Sequence, residues 1–198
     1  MKSVTVNTST PYDVLIEKGC LSRCGEFAAK LFVPQKSTAA IITDDRVSSL
    51  YLKTVSDSFQ KAGFSVCSFV FPNGEDSKSH DTLLQVYDFL IQNNITRTDF
   101  IVALGGGVVG DLAGFAAATY LRGIRFMQIP TTFLAAIDSS VGGKTAVNIP
   151  AGKNLIGAFH QPSMVVCDPD TFQTLEPKTF ADGCPELLKY AMLWSEDF

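Results

Sequence analysis

Residues 99–153 concentrate the ligand-binding chemistry of this sequence. At their core Gly105-x-Gly107-x-x-Gly110 follows four apolar residues, 101–104, and leads through Asp111 into the apolar stretch 112–121. A strand, a tight glycine turn and a helix start would bring backbone N–H groups to one point, where an anionic group can sit on the helix N-terminus. The spacing matches the dinucleotide fingerprint letter for letter. The acidic residue expected about 20 positions further on is absent, that region holding Arg122 and Arg125. Asp44, at the predicted end of an earlier strand, is placed either to hold a ribose or to cap the next helix.

Asp111 is expected in the first helical turn, where a carboxylate suits the helix dipole. In an otherwise apolar helix it needs a partner, which makes it a candidate for a ligand or metal role. Thr131 and Thr132 end a later strand, where hydroxyls can bind a nicotinamide or cap a helix. Two glycine-flanked lysines follow, in Gly142-Gly143-Lys144-Thr145 and Gly152-Lys153-Asn154. The first echoes a Walker A ending without its upstream glycine, so a P-loop nucleotidase is a poor reading. Glycines still let backbone approach a phosphate and lysine adds a point charge, so the pair indicates a small anionic ligand. Glu186 and Lys189, at i, i+3 on a predicted helix, form either a surface ion pair or one wall of a cleft. His80 and His160 have no Cys or His at metal spacing and read as structural or solvent-facing. Cys20, Cys24, Cys67, Cys167 and Cys184 are scattered, with no second pair for a zinc knuckle; they read as small buried residues in a reducing cytoplasm.

These residues need a sheet whose strands end on one side. A strand pair is expected at 3–6 and 14–17, a helix over 21–32, a buried strand over 39–43, and a helix over 47–62 with Leu50, Val55 and Phe59 inward. A strand over 64–71 and a turn over 72–78 precede a helix over 81–92, opened by Ser79 or His80, with Leu83, Val86, Tyr87, Leu90 and Ile91 as its stripe. Further strands are expected at 100–104, 125–130 and 164–168. Apolar strands separated by helices predict an α/β fold with a Rossmann-like parallel sheet covered by helices on both faces. After Pro177 the pattern turns helical, over 179–193, and Ser195 to Phe198 read as a further helix cap. The expected division is an α/β domain over 1–176 and, over 177–198, the beginning of a truncated all-helical second domain.

With 198 residues, 46% hydrophobic and 18% charged, the chain can bury a core, and a net charge of -4 leaves no nucleic-acid footprint. Residues 100–121 are apolar enough to catch a hydropathy window, yet they hold five glycines and Asp111 near the centre, which argues against a membrane span. The N-terminus shows no apolar signal region. A cytoplasmic chain without nucleic-acid or membrane partners is expected.

Read in order, several segments resemble the 3-dehydroquinate synthases across nearly the whole chain. They are Gly105-Gly-Gly-Val-Val-Gly-Asp111, Tyr120-Leu-Arg122-Gly123, Pro130-Thr-Thr, Asp138-Ser-Ser-Val-Gly-Gly-Lys144-Thr and Gly152-Lys153-Asn154, then Gln161-Pro162, Phe172-Gln-Thr-Leu175 and Glu186-Leu-Leu-Lys189-Tyr190. The resemblance implies a lyase of the shikimate pathway that converts 3-deoxy-D-arabino-heptulosonate 7-phosphate to 3-dehydroquinate and phosphate. It implies catalytic NAD, a divalent metal (zinc or cobalt) and a homodimer. Nicotinamide would take a hydride from the C5 alcohol and later return it; the transient ketone permits phosphate elimination, and reduction, ring opening and aldol closure follow.

By matching position, the resemblance puts Asp44, Glu75 and Lys78 at the adenosine side of NAD. It puts Gly106, Gly107, Val108 and Asp111 around pyrophosphate and ribose, with Thr131, Thr132, Phe172, Thr174 and Leu175 closing the pocket. Asp138, Lys144, Asn154 and Lys189 would contact substrate, and Lys144 and Lys153 would line its border with the cofactor. Arg122 would reach a substrate phosphate, in some members across a dimer interface, and Glu186 would be a metal ligand. Cys184-Pro185 replaces the usual small residues before that glutamate, and Ile149 stands where many members carry His. The family's two metal-binding histidines belong to its C-terminal domain, so this chain alone is expected to bind NAD without holding zinc tightly or turning over. Related sugar-phosphate cyclases such as 2-epi-5-epi-valiolone synthase share most of these motifs. Glycerol-type dehydrogenases share the glycine turn but not the two lysine turns. An NAD-binding module without catalysis is the alternative from another class.

Overall fold

Ala39, Ala40, Ile41 and Ile42 are four apolar residues in a row, and successive strand side chains point to opposite faces. Such a strand is satisfied only when both faces are covered. In the computed structural model, which describes residues 1–194, Ala39 and Ile41 join one hydrophobic cluster and Ala40 and Ile42 the other. The same alternation splits Phe100, Val102 and Leu104 from Ile101 and Ala103. The helix cap expected at Ser195 lies outside the described residues.

The strands are β1 (Lys2–Val6), β2 (Tyr12–Ile16), β3 (Thr38–Asp44), β4 (Ser65–Phe71), β5 (Phe100–Gly105), β6 (Arg125–Pro130), β7 (Lys144–Ile149), β8 (Gly152–Phe159) and β9 (Met164–Cys167). Among the described residues, seven form one sheet in the order β1-β2-β9-β6-β5-β3-β4. All its pairings are parallel except β1 with β2. The helices are α1 (Cys24–Ala28), α2 (Asp45–Val47), α3 (Lys53–Lys61), α4 (His80–Gln92), α5 (Gly107–Thr119), α6 (Pro177–Ala181) and α7 (Cys184–Trp194). The chain leaves β3 for β4 on one side and returns to β5 on the other, so the strand order reverses between β3 and β5. Open α/β sheets bind ligands at such a reversal, outside the strand C-termini.

The helix α5 is apolar all round because it is covered all round, by the sheet, α4 and the hairpin of β7 and β8. A Cβ on Gly114 would stand 2.5 Å from Thr145 Cγ2, so this glycine is what lets the hairpin lie close. Among the described residues no helix is long and apolar enough to cross a membrane.

Five expectations change. The helix expected over 21–32 is a 3₁₀ turn, Cys20–Arg23, and the short α1; beyond Ala28 the chain turns to stack Phe32 on Phe100, with ring centroids 3.8 Å apart. The helix expected over 47–62 starts at Asp45 and contains a π turn, Ser48–Leu52, whose extra residue swings Leu50 out to 48% exposure while Val55 and Phe59 stay buried. Ile91 leaves the α4 stripe and is 61% exposed, Leu83, Val86 and Leu90 carrying the burial. The helix expected over 179–193 is broken at Asp182-Gly183 into α6 and α7. Finally, Lys144, Lys153 and Asn154 do not sit on isolated glycine turns: they belong to the antiparallel hairpin of β7 and β8.

Candidate functional site

Two hollows lie side by side at the C-terminal end of the sheet. The first is a cleft of about 230 Å³ at the strand reversal, bordered by Asp44, Gly106, Gly107, Val108, Thr131 and Thr132. Thr43 pairs with Leu104, so Asp44 follows on beside Gly105. Asp44 caps the next helix, its Oδ1 accepting from the Val47 N–H at 2.8 Å. Burial raises its pKa. The cap and the ligand-facing position coexist, since one carboxylate has lone pairs for both.

Opposite, Thr174 and Leu175 line the cleft at the end of a 3₁₀ turn. Tyr51 Oη stands 2.6 Å from Thr174 Oγ1 and donates to the Thr171 carbonyl at 3.2 Å, which fixes that wall. Phe172 stands behind it, edge-on to Phe133. Thr131 is 2% exposed and its Oγ1 has no partner among the described residues. A buried hydroxyl without a partner costs about 1–3 kcal/mol, so it marks a place where a polar ligand atom fits.

The second hollow, about 540 Å³, is bordered by Asp111, Asp138, Lys144, Asn154, Leu155 and Phe159 among others. Asp138 lies in a π turn, Ala135–Ser139, and its Oδ1 accepts from Tyr190 Oη at 2.7 Å. That bond pushes the Tyr190 hydroxyl up to about 12 and ties α7 to the cavity. Nothing in the neighbours of Tyr190 points to a partner 52 positions earlier. Between the hollows stands the contact of Gly107 with Ser139: a Cβ on Gly107 would lie 3.2 Å from Ser139 Oγ. Cleft and cavity share this one wall.

Asp111 is not in the first turn of α5, which begins at Gly107; it sits one turn further in, facing the cavity. Its partner is Lys78, only 4% exposed, whose ammonium pairs with the Asp111 carboxylate and donates to Asn154 Oδ1 at 2.5 Å. Burial raises the Asp111 pKa and Lys78 opposes that rise. Lys78 and Glu75 line neither the cleft nor the cavity: they border a third hollow with Lys153 and Asn148, next to Gly74 at the edge of the cleft. Lys153 Nζ lies 3.7 Å from Glu75 Oε1.

Four expected residues border none of these hollows: Phe172, turned onto Phe133, and Arg122, Glu186 and Lys189. Arg122 is exposed, and it and Leu121 both have left-handed backbone, φ +66° and +50°, strained for non-glycine residues. Glu186 and Lys189 pair with each other on α7, and the pairing raises the Lys189 pKa. His160 stacks on Phe126 and bonds the Ile124 carbonyl, a structural role. Burial pushes the Cys20 thiol up to about 12 and those of Cys24, Cys67 and Cys167 up to about 11, so these four stay protonated at neutral pH.

Comparison with known proteins decides what this arrangement belongs to. The family model described as 3-dehydroquinate synthase N-terminal matches residues 68–182. The chain belongs to the 3-dehydroquinate synthase family. A 3-dehydroquinate synthase of Streptococcus suis is 53% identical over 191 residues, which are 96% of this chain and 53% of that protein. The chain thus spans about half the length of the curated relatives it matches. Among solved structures, 2-deoxy-scyllo-inosose synthase complexed with carbaglucose-6-phosphate, NAD+ and Co2+ superposes with a TM-score of 0.89 at 28% identity, covering 98% of this chain and 52% of that one. The 2-epi-5-epi-valiolone synthase of Streptomyces hygroscopicus, with NAD+ and Zn2+ bound, gives 0.82 at 29% identity over 94% of this chain and 51% of that one. The family match covers the glycine turn, the hairpin and both hollows' principal side chains, with Asp44 outside it.

Proposed function

We propose that this chain supplies the cofactor cleft and half of the substrate cavity of a 3-dehydroquinate synthase, acting on 3-deoxy-D-arabino-heptulosonate 7-phosphate. The observation that carries the reading is the shared Gly107–Ser139 wall, which sets a cleft lined by the glycine turn, Asp44 and Thr131 against a cavity lined by a lysine. Support for the specific reaction over its cyclase relatives comes from identity: 53% to a dehydroquinate synthase against 28% and 29% to the other two.

NAD suits the cleft. Thr131 offers an unpartnered hydroxyl, Asp44 an acceptor for a ribose, and Gly106 and Gly107 open the approach to the N-terminus of α5. When bound, NAD supplies reversible hydride transfer at a substrate alcohol carbon. Asp111, held by Lys78, faces the cavity and would meet the ligand from that side. Lys144, exposed in the cavity, can pair with the substrate's phosphate and stabilise it as it leaves. Asp138 uses one oxygen for Tyr190 and presents the other to a substrate hydroxyl. Asn154, oriented by Lys78, offers its amide N–H groups to the same ligand.

The donors for a divalent metal are a different matter. Among the described residues no three His, Cys, Asp or Glu side chains converge, and Glu186 is engaged by Lys189. Glu186 is proposed as one ligand only, and no step is assigned to a metal. A homodimer belongs to the same reading, with the strained, exposed Arg122 as the residue offered to a partner's cavity. The test is calorimetric titration of this chain with NAD, then phosphate release from the heptulosonate phosphate by a protein of the relatives' full length. NAD binding without phosphate release in the longer protein would leave only a nucleotide-binding module.

A further inference from the structure

The hairpin carrying Lys144 and Asn154 is not a regular ladder. Thr145, Ala146 and Val147 pair in step with Ala158, Gly157 and Ile156, but Ile149 pairs with Gly152. Asn148 therefore faces three residues, Lys153, Asn154 and Leu155. Surplus residues in one strand bend it and re-aim its side chains, and here the surplus includes two residues of the proposed site. Asn154 takes φ +58°, a left-handed conformation that asparagine adopts more readily than most residues but that still needs holding.

Asn148 does the holding. Its Oδ1 accepts from the Asn154 N–H at 3.0 Å, and its Nδ2 donates to Glu75 Oε1 at 2.7 Å. Its backbone N–H, free of the hairpin ladder, donates to the Lys78 carbonyl at 2.8 Å. One residue thus touches Glu75, Lys78 and Asn154, and Lys78 closes the circuit by bonding Asn154 Oδ1 and Asp111.

We propose that Asn148 is a positioning residue: it meets no ligand, and it sets Asn154, Glu75 and the Lys78 backbone in the arrangement that the cofactor and substrate require. What the positioned residues do rests on the dehydroquinate-forming reading, in which Glu75 and Lys78 contact NAD where the adjoining Gly74 borders the cleft; that Asn148 positions them rests on the hydrogen bonds alone. Nothing in the sequence around it, Ala146-Val-Asn-Ile, marks this residue out.

Two substitutions separate positioning from bulk packing. Asn148→Ala removes both side-chain bonds at every pH. Asn148→Asp keeps the acceptor for Asn154 and sets a second carboxylate against Glu75, whose neighbouring cation is Lys153 at 3.7 Å. The other charged groups around that hollow are Lys78, Asp76, Asp81 and His80. Two close carboxylates share a proton when the pH falls, so the aspartate regains the missing hydrogen bond in acid.

Two readouts apply to this chain: hydrogen exchange of the Asn154 amide, and NAD affinity by calorimetry at about pH 8 and about pH 5, each taken relative to wild type at the same pH. Asn148→Ala is expected to speed Asn154 exchange and weaken NAD about tenfold at both pH values. Asn148→Asp is expected to weaken NAD about tenfold at the higher pH and to return within about twofold of wild type at the lower one. Unchanged Asn154 exchange in Asn148→Ala, or an equal defect of Asn148→Asp at both pH values, overturns the proposal. If wild type fails to bind NAD, the functional reading falls, and Asn154 exchange in the two variants still decides the role of Asn148.

Discussion

The cleft and the cavity meet at one wall and are held by different physics. The cleft is framed by backbone: the ends of β3, β5 and β6, fully buried between two hydrophobic clusters, deliver Asp44, Gly106 and Thr131 wherever the sheet puts them. The cavity is framed by side chains. Among the described residues its hairpin pairs with no strand of the main sheet; an isolated bridge of Asn148 with Ser79 and the bonds among Lys78, Asp111, Asn148 and Asn154 fasten it to the loop before α4 and to α5. A hydrophobic sheet tolerates exchange of one polar group; a web of polar groups centred on the buried Lys78 does not, since its loss strands Asp111 and Asn154.

Lys78→Met should give the largest effect. It leaves the Asp111 carboxylate, with 19% of its side chain exposed, without its cation. Breaking a buried pair by removing one partner costs about 3–5 kcal/mol; the residual exposure of Asp111 sets the expectation near the lower figure. Urea unfolding should show it, with amides of β7 and β8 losing protection before those of β3 and β5. The sign with pH follows from burial. Asp111 already has a raised folded pKa, and loss of Lys78 raises it further, so the folded state binds the proton more tightly than the unfolded one. The destabilisation is fully present above that raised pKa and shrinks as pH falls through it toward the unfolded value of about 3.9. A loss that is independent of pH would mean that Lys78 acts through packing, and the contrast between the two hollows would fail.

Lys144→Ala tests the cavity without touching the web. In a protein of the relatives' full length, phosphate release should fall about a hundredfold, while NAD affinity of this chain stays within about twofold, because Lys144 borders the cavity and not the cleft. Equal losses in both would show that the shared wall does not separate two functions.

The contrast also explains what could be read from the sequence. Apolar runs fix the β3, β5 and β6 strands, and glycines between strand and helix fix the turn, so the cleft residues follow from local pattern. The hairpin escaped because β8 is exposed over most of its length, Leu155 at 61% and Phe159 at 84%; it has no buried alternation to betray a strand. Asp111 announced that it needed a partner, yet Lys78 lies 33 residues earlier, beyond any local spacing rule. Asn148 and Tyr190 act at similar distances. Lys144 and Asn154 were legible as chemistry and misplaced as geometry, since glycine and lysine type can be read from the chain while the strand pairing that aims them cannot.

The smallest effect separates a structural hydroxyl from a ligand-facing one. Thr43 and Thr131 are both buried, and neither Oγ1 has a partner among the described residues, but only Thr131 borders the cleft. Replacing each by the nearly isosteric valine removes an unsatisfied polar atom, a change that is neutral or stabilising when nothing else is lost. Thr43→Val should therefore leave thermal stability equal or higher and NAD affinity unchanged. Thr131→Val should be as stable without ligand but bind NAD about five- to tenfold more weakly, about 1 kcal/mol for one hydrogen bond. Calorimetric titration of the two variants side by side supplies the control that a single substitution lacks. Parallel behaviour would make the Thr131 hydroxyl an accident of packing; divergence would assign it to the ligand, at a strand end where backbone alone has already set its position.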